Sequence, residues 1–84
     1  MPGGFAGGVA VKIVEIGSQK GKEYATTTLL RLCEDSYLYR TLVSREGAIP
    51  PLAALSQSGT ARARQKVVTL LQYLREPRQG SISE

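Results

Sequence analysis

The feature that most constrains this chain is that part of it recurs. Residues 17–34, GSQKGKEYATTTLLRLCE, come back as residues 58–76, SGTARARQKVVTLLQYLRE. Leu29-Leu30 falls on Leu70-Leu71 and Cys33 on Leu74, an offset of about 41 residues. Self-similarity at a period of about 40–47 residues marks stacked helical repeats, in which each unit buries its apolar face against a neighbour. In the second copy, Val67, Leu70, Leu71 and Leu74 stand at i, i+3, i+4 and i+7, the apolar stripe of a helix. In the first copy, Tyr24, Ala25, Thr28, Leu29, Leu32 and Cys33 mark one helical face. Three consecutive threonines, Thr26 to Thr28, weaken that helix, because β-branched side chains lose rotamer freedom there.

The breaks between elements follow from local chemistry. Gly17-Ser18-Gln19-Lys20-Gly21 reads as a turn. Asp35-Ser36 caps a short helix with Leu38, Leu42 and Val43 inward, and Gly47 ends it. Pro50 and Pro51 suit a first helical turn, where the missing N–H has no intrahelical partner anyway. Ala48, Ile49, Leu52 and Leu55 then share a face. Gly59 is expected to close that helix in a left-handed conformation, and Thr60 to cap the next one. Pro77 stops the last helix. The spacing predicts an all-α chain with helices over 9–16, 20–33, 36–44, 48–57 and 61–76. Residues 1–8, MPGGFAGG, read as a disordered glycine-rich arm, and 77–84 as a disordered polar tail.

One segment resists this pattern. In VAVKIVEI, residues 9–16, five of eight side chains are Val or Ile, which locally favours a strand. No later segment offers a partner strand, so helix is the reading adopted.

Composition and charge remove several functions. The 84 residues suffice for one small domain, and 42% hydrophobic residues are too many for a disordered chain. No apolar run approaches the roughly 18 residues of a membrane span. Cys33 is the single cysteine, so no internal disulfide forms, in keeping with a reducing compartment such as cytoplasm or nucleus. The net charge is +4, and residues 60–78 carry it, with Arg62, Arg64, Lys66, Arg75 and Arg78 against Glu76. The excess is therefore one basic helix rather than a basic domain.

No catalytic residue, cofactor site or metal site emerges. The chain has no histidine, which removes the usual general base and the commonest metal ligand. Cys33 lies on the apolar stripe and reads as a core residue. The early glycines Gly3, Gly4, Gly7 and Gly8 lack the spacing of a phosphate loop.

The stretches Glu46-Gly47-Ala48-Ile49-Pro50-Pro51-Leu52 and Leu55-Ser56-Gln57-Ser58-Gly59-Thr60, with the basic helix after them, resemble the last armadillo repeat of plant U-box/armadillo ubiquitin ligases. The resemblance runs over roughly residues 9–78. It implies an armadillo-type α-solenoid fragment of about one and two-thirds repeats: the second and third helices of one repeat over 9–34, and a repeat over 35–76. It also implies a non-catalytic protein–protein interaction module that binds substrates or regulators, since the U-box of that family is missing here. Third-helix residues one turn apart line the concave groove of armadillo proteins. On this chain they are Glu23, Thr27 and Arg31, then Arg64, Val68 and Gln72.

A second class of function stays open: binding of nucleic acid or an anionic surface through the basic helix 61–78. Nucleic acid is the weaker reading, because Arg62, Arg64 and Lys66 alternate without stacking aromatics. Fewer than two repeats also leave an end uncovered. Val9, Val11, Ile13, Val14 and Ile16 are expected to form an exposed apolar surface there, forgoing about 1.5–3 kcal/mol of burial each. Marginal stability, docking onto another helical surface or self-association through this end is the expected consequence.

Overall fold

A computed structural model describes residues 6–75. It holds five helices: α1 (Ala6–Ile16), α2 (Gln19–Asp35), α3 (Tyr37–Arg45), α4 (Ile49–Ser58) and α5 (Ala61–Arg75). Among the described residues there is no strand, and the fold is all-helical. Residues 1–5 of the expected arm, Pro77 and the tail 77–84 lie outside the described residues.

The β-prone segment is helical because a helix lets it bury one side. Ala10, Val11 and Val14 sink into the core, while Val9, Ile13 and Ile16 stay on the surface. The expected five-residue apolar surface is corrected accordingly. Val11 stands two residues from Val9, about 200° around a helix, so the two face opposite ways. The start of the segment also moves. Ala6, Gly7 and Gly8 belong to α1 rather than to an arm. Gly7 is buried and Gly8 lies beside the Glu46 side chain, tertiary contact that offsets the helix penalty of glycine.

In α2 the Ser18 hydroxyl accepts the Gly21 N–H at 3.0 Å and caps the helix. The three threonines solve their own polarity. Each hydroxyl donates to the carbonyl four residues back: Thr26 to Lys22 at 2.8 Å, Thr27 to Glu23 at 3.1 Å and Thr28 to Tyr24 at 3.1 Å. Thr26 is therefore fully buried without an unsatisfied group. The inward face of α2 is Ala25, Thr26, Leu29 and Cys33. Tyr24 and Thr28, expected inside, are exposed, and Leu32 is half-buried. Both α1 and α5 pack against α2.

Ser36 caps α3 by accepting the Tyr39 N–H at 3.3 Å, and Gly47 turns the chain with φ +81°. Val43 is buried and Leu42 half-buried, but Leu38 is exposed rather than inward. Five residues separate Leu38 from Val43, about 140° around the helix, and Val43 is the buried residue of α3. In α4 both prolines sit in the first turn, and Ala48, Leu52 and Leu55 are buried beneath it.

Gly59 departs from expectation. Its φ is −83° and its backbone extended, not left-handed. Glycine is required there by space: an added Cβ would stand 2.8 Å from both the carbonyl oxygen and a methyl of Leu55. The Gly59 N–H donates to that same carbonyl at 2.8 Å. Thr60 caps α5 as expected, accepting the Ala63 N–H at 3.1 Å.

The buried positions repeat with the sequence. Val11 and Leu52, Val14 and Leu55, Thr26 and Val67, Leu29 and Leu70, and Cys33 and Leu74 are all buried pairs 41 residues apart. As α1 packs on α2, so α4 packs on α5. Contacts along the α2–α5 seam ascend together. Glu23 meets Arg62 near the start, Leu30 shares a groove with Gln65 and Thr69, and Arg40 joins Cys33 to Tyr73 at the far end. Helices whose contacts climb in that order run parallel.

Candidate functional site

The α2–α5 seam opens into a shallow groove of about 470 Å³, lined by Leu30, Gln65, Lys66, Val68 and Thr69. Leu30 belongs to α2 and is half-buried against the core, while Val68 is exposed on α5. The groove thus pairs apolar side chains with the amide of Gln65, the hydroxyl of Thr69 and the cation of Lys66.

The six residues singled out from the sequence lie on α2 and α5. Val68 lines the groove itself. Glu23 is half-buried, and its carboxylate stands 3.9 Å from the exposed Arg62 guanidinium, a long pair of small energetic weight. Thr27 is half-buried with its hydroxyl committed to the Glu23 carbonyl. Arg31, Arg64 and Gln72 are exposed on the same two helices. Leu30, Gln65, Lys66 and Thr69 were not singled out. The signal for Leu30 was available, since it flanks the apolar stripe and repeats as Leu71. Nothing in the sequence marks the other three.

A second cluster closes the far end of the seam. Arg40 of α3 donates from Nε to the Cys33 carbonyl at 2.7 Å, bonding an unpaired acceptor in the last turn of α2. Its guanidinium carbon lies 4.5 Å from the Tyr37 ring centre and 4.3 Å from that of Tyr73. One side chain therefore fastens α2, α3 and α5 together. Arginine suits the place because its planar group both stacks and donates. No periodicity in the sequence announces it.

Cys33 is buried beside this cluster. Burial pushes its thiol up from 9.0 to about 11, against the lowering influence of the Arg40 charge. At neutral pH the group is a thiol, the form without nucleophilic or metal-binding power. The unfolded chain releases this proton near pH 9 and the folded chain only near pH 11. Stability is therefore expected to fall as pH rises through that window, because the unfolded state there binds fewer protons. Thermal midpoints across alkaline pH for the native chain and Cys33→Ala check this: the variant should lose part of the slope. An identical slope in both would contradict the assignment.

The basic residues of α5 do not gather on one face. Arg62 and Arg64 stand about 200° apart around the helix. Among the described residues no group of three or more His, Cys, Asp or Glu side chains is placed to hold a metal ion. Among them, too, no helix is long and apolar enough to cross a membrane.

Comparison with known proteins adds plant relatives. U-box domain-containing protein 45 of Arabidopsis thaliana is 39% identical over 67 residues, covering 80% of this chain and 9% of that protein. U-box domain-containing protein 11 of Arabidopsis thaliana is 33% identical over 66 residues, 79% of this chain and 11% of that protein. U-box domain-containing protein 1 of Medicago truncatula is 38% identical over 66 residues, 76% and 10% respectively. The chain spans about a tenth of the length of these curated relatives. No family model matches, and no solved structure matches.

Proposed function

We propose that this chain is a piece of an armadillo-type α-solenoid that serves as a protein-interaction region of a U-box/armadillo ubiquitin ligase-like protein. The parallel α2–α5 seam carries this reading. Helices related by the 41-residue repeat lie side by side and point the same way, as successive units of a solenoid do. The units are residues 9–34, holding the second and third helices of one repeat, and residues 35–76, holding a whole one. The similarity to U-box domain-containing proteins supports the family assignment.

Partner binding belongs to the face that carries Glu23, Thr27 and Arg31 on α2 and Arg64, Val68 and Gln72 on α5, with Leu30 in the groove between them. The chain is not an enzyme by itself; in the ligase family the U-box recruits the ubiquitin-conjugating enzyme. Cytoplasm or nucleus is its place of work. Nucleic acid is the less favoured ligand, since the cations of α5 are spread around the helix and Arg62 stands near Glu23.

The test is a peptide-display selection against the folded chain, followed by titration of the selected peptides into Arg31→Glu/Gln72→Glu. Both positions are exposed, so helix content should stay unchanged. Affinity is expected to drop about tenfold or more, equivalent to about 1.4 kcal/mol. Selected peptides that bind the double variant as tightly would remove this face from consideration.

A further inference from the structure

The groove on the α2–α5 seam holds a cation without an anion. Lys66 is half-buried there, among the side chains that line the groove with Leu30 and Val68. Among the described residues its ammonium makes no ion pair and no hydrogen bond. The two helices explain why. In α5 stand four cations, Arg62, Arg64, Lys66 and Arg75, and no carboxylate. The acids of α2 lie towards its ends: Glu23, 3.9 Å from the Arg62 guanidinium, and Glu34 and Asp35 in the last turn. From Tyr24 to Cys33, the stretch that contains Leu30, α2 has no acid. The repeat does not itself call for a cation at this place either. The residue 41 positions before Lys66 is Ala25, which is buried.

Such a site favours one kind of ligand. An ammonium beside apolar side chains is partly withdrawn from water, and its attraction for an anion is stronger than that of a fully solvated lysine. Leu30 and the 53%-exposed Val68 supply an apolar surface next to it. A lone lysine suits a single carboxylate, whereas a phosphate group is better matched by the paired donors of arginine. A chain-terminal carboxylate is held by free backbone N–H groups, and in mid-helix those are spent on the helix itself. Nucleic acid is disfavoured in turn, because no aromatic side chain lines the groove to stack on its bases.

We propose that the groove takes a partner segment in which an Asp or Glu side chain reaches Lys66 while a neighbouring aliphatic side chain covers Leu30 and Val68. This rests on the α2–α5 face being the partner-binding face and adds the chemistry of what it binds. The exposed Gln65 amide and the Thr69 hydroxyl, which donates to the Gln65 carbonyl at 3.4 Å, border the same groove and offer hydrogen bonds to the backbone of such a segment.

The probe is a displayed library of random peptides selected against the full chain, with the selected peptides then synthesised and titrated. They are expected to share an Asp or Glu close to a Leu, Ile or Val. Replacing that acid by its amide should weaken binding to the native chain by about fivefold or more, and this arm leaves the protein unaltered. Lys66→Glu should weaken the same peptides by about tenfold or more, because repulsion replaces attraction. A peptide carrying Lys at the acidic position should then bind Lys66→Glu better than it binds the native chain. Arg75→Glu, the same charge change at the exposed end of α5, should leave affinity within about twofold. Peptides without a shared acid, or peptides that bind Lys66→Glu as tightly as the native chain, overturn the proposal. If such peptides still lose affinity for Arg31→Glu/Gln72→Glu, the partner-binding face stands and only its carboxylate chemistry fails. A random-sequence single-stranded oligonucleotide runs alongside. Oligonucleotide binding lost in Lys66→Glu, with no acid-dependent peptide found, also overturns the proposal and reassigns the lysine.

Discussion

Leu29→Ala and Leu70→Ala are each expected to destabilise the chain by about 2–5 kcal/mol. Both leucines are fully buried, and they occupy the same place in the two repeats. Each truncation removes buried methyl groups and leaves a cavity that neighbouring helices cannot fill without moving. A chain of this length has a total stability of roughly 4–12 kcal/mol, so a single truncation consumes a major share of it. Urea denaturation measures the loss as a lower midpoint. Gln57→Ala, on the exposed end of α4, serves as control and should stay within about 0.5 kcal/mol of the native chain. A Leu70→Ala chain as stable as this control would mean that α5 is not packed as described.

Arg40→Ala is expected to cost about 2–4 kcal/mol, an unusual loss for a residue that is only half-buried. The substitution breaks a charge-assisted hydrogen bond to the Cys33 carbonyl, worth about 1.5–3 kcal/mol. It also strips two tyrosine rings of their cation, at about 0.5–1 kcal/mol each. These contributions share one side chain and do not add fully. Arg40→Lys separates them. Lysine keeps the charge but has no planar group to lie over both rings, so it should recover only part of the loss. Full recovery in urea denaturation would show that charge alone matters and that stacking is incidental.

The helices were legible because local chemistry and burial agree along most of the chain. Ser36 and Thr60 cap where their hydroxyls suggest, and the stripe through Val67, Leu70 and Leu74 is buried as its spacing requires. The segment from Val9 to Ile16 was harder, because propensity and architecture disagree there. Its helix depends on neighbouring helices that cover Val11 and Val14. The same dependence hid which face of α2 points inward. Spacing alone accommodates Tyr24 and Thr28 inside, whereas in the packed bundle Thr26 is the buried one. Arg40 was invisible for a related reason. Its three partners come from three helices, and they converge only once the helices are packed.

Gly59 shows a limit of reading residue types singly. Glycine after a helix suggests a left-handed cap, yet the one positive φ among the described residues belongs to Gly47. At Gly59 the deciding quantity is distance to Leu55, which no sequence pattern expresses. The candidate groove was legible in part for the same reason. Repeat spacing selects Val68 on α5, but Gln65, Lys66 and Thr69 reach the groove through the lateral placement of α5 against Leu30.

The parallel seam between α2 and α5 is the point on which the repeat reading stands, and spin-label distances test it directly. Labels are placed on cysteines introduced at Lys20 and Arg31 of α2 and at Arg62 and Gln72 of α5, all exposed positions. The native Cys33 is buried with its thiol raised to about 11, so it should not take up label at neutral pH. Double electron–electron resonance then compares end pairs with diagonals. Ten residues of helix add about 15 Å along the axis. For parallel helices the pairs Lys20–Arg62 and Arg31–Gln72 give the short distances, and the diagonals Lys20–Gln72 and Arg31–Arg62 are clearly longer. Diagonals shorter than the end pairs would mean that the repeated helices run antiparallel, and the solenoid account would fail with them.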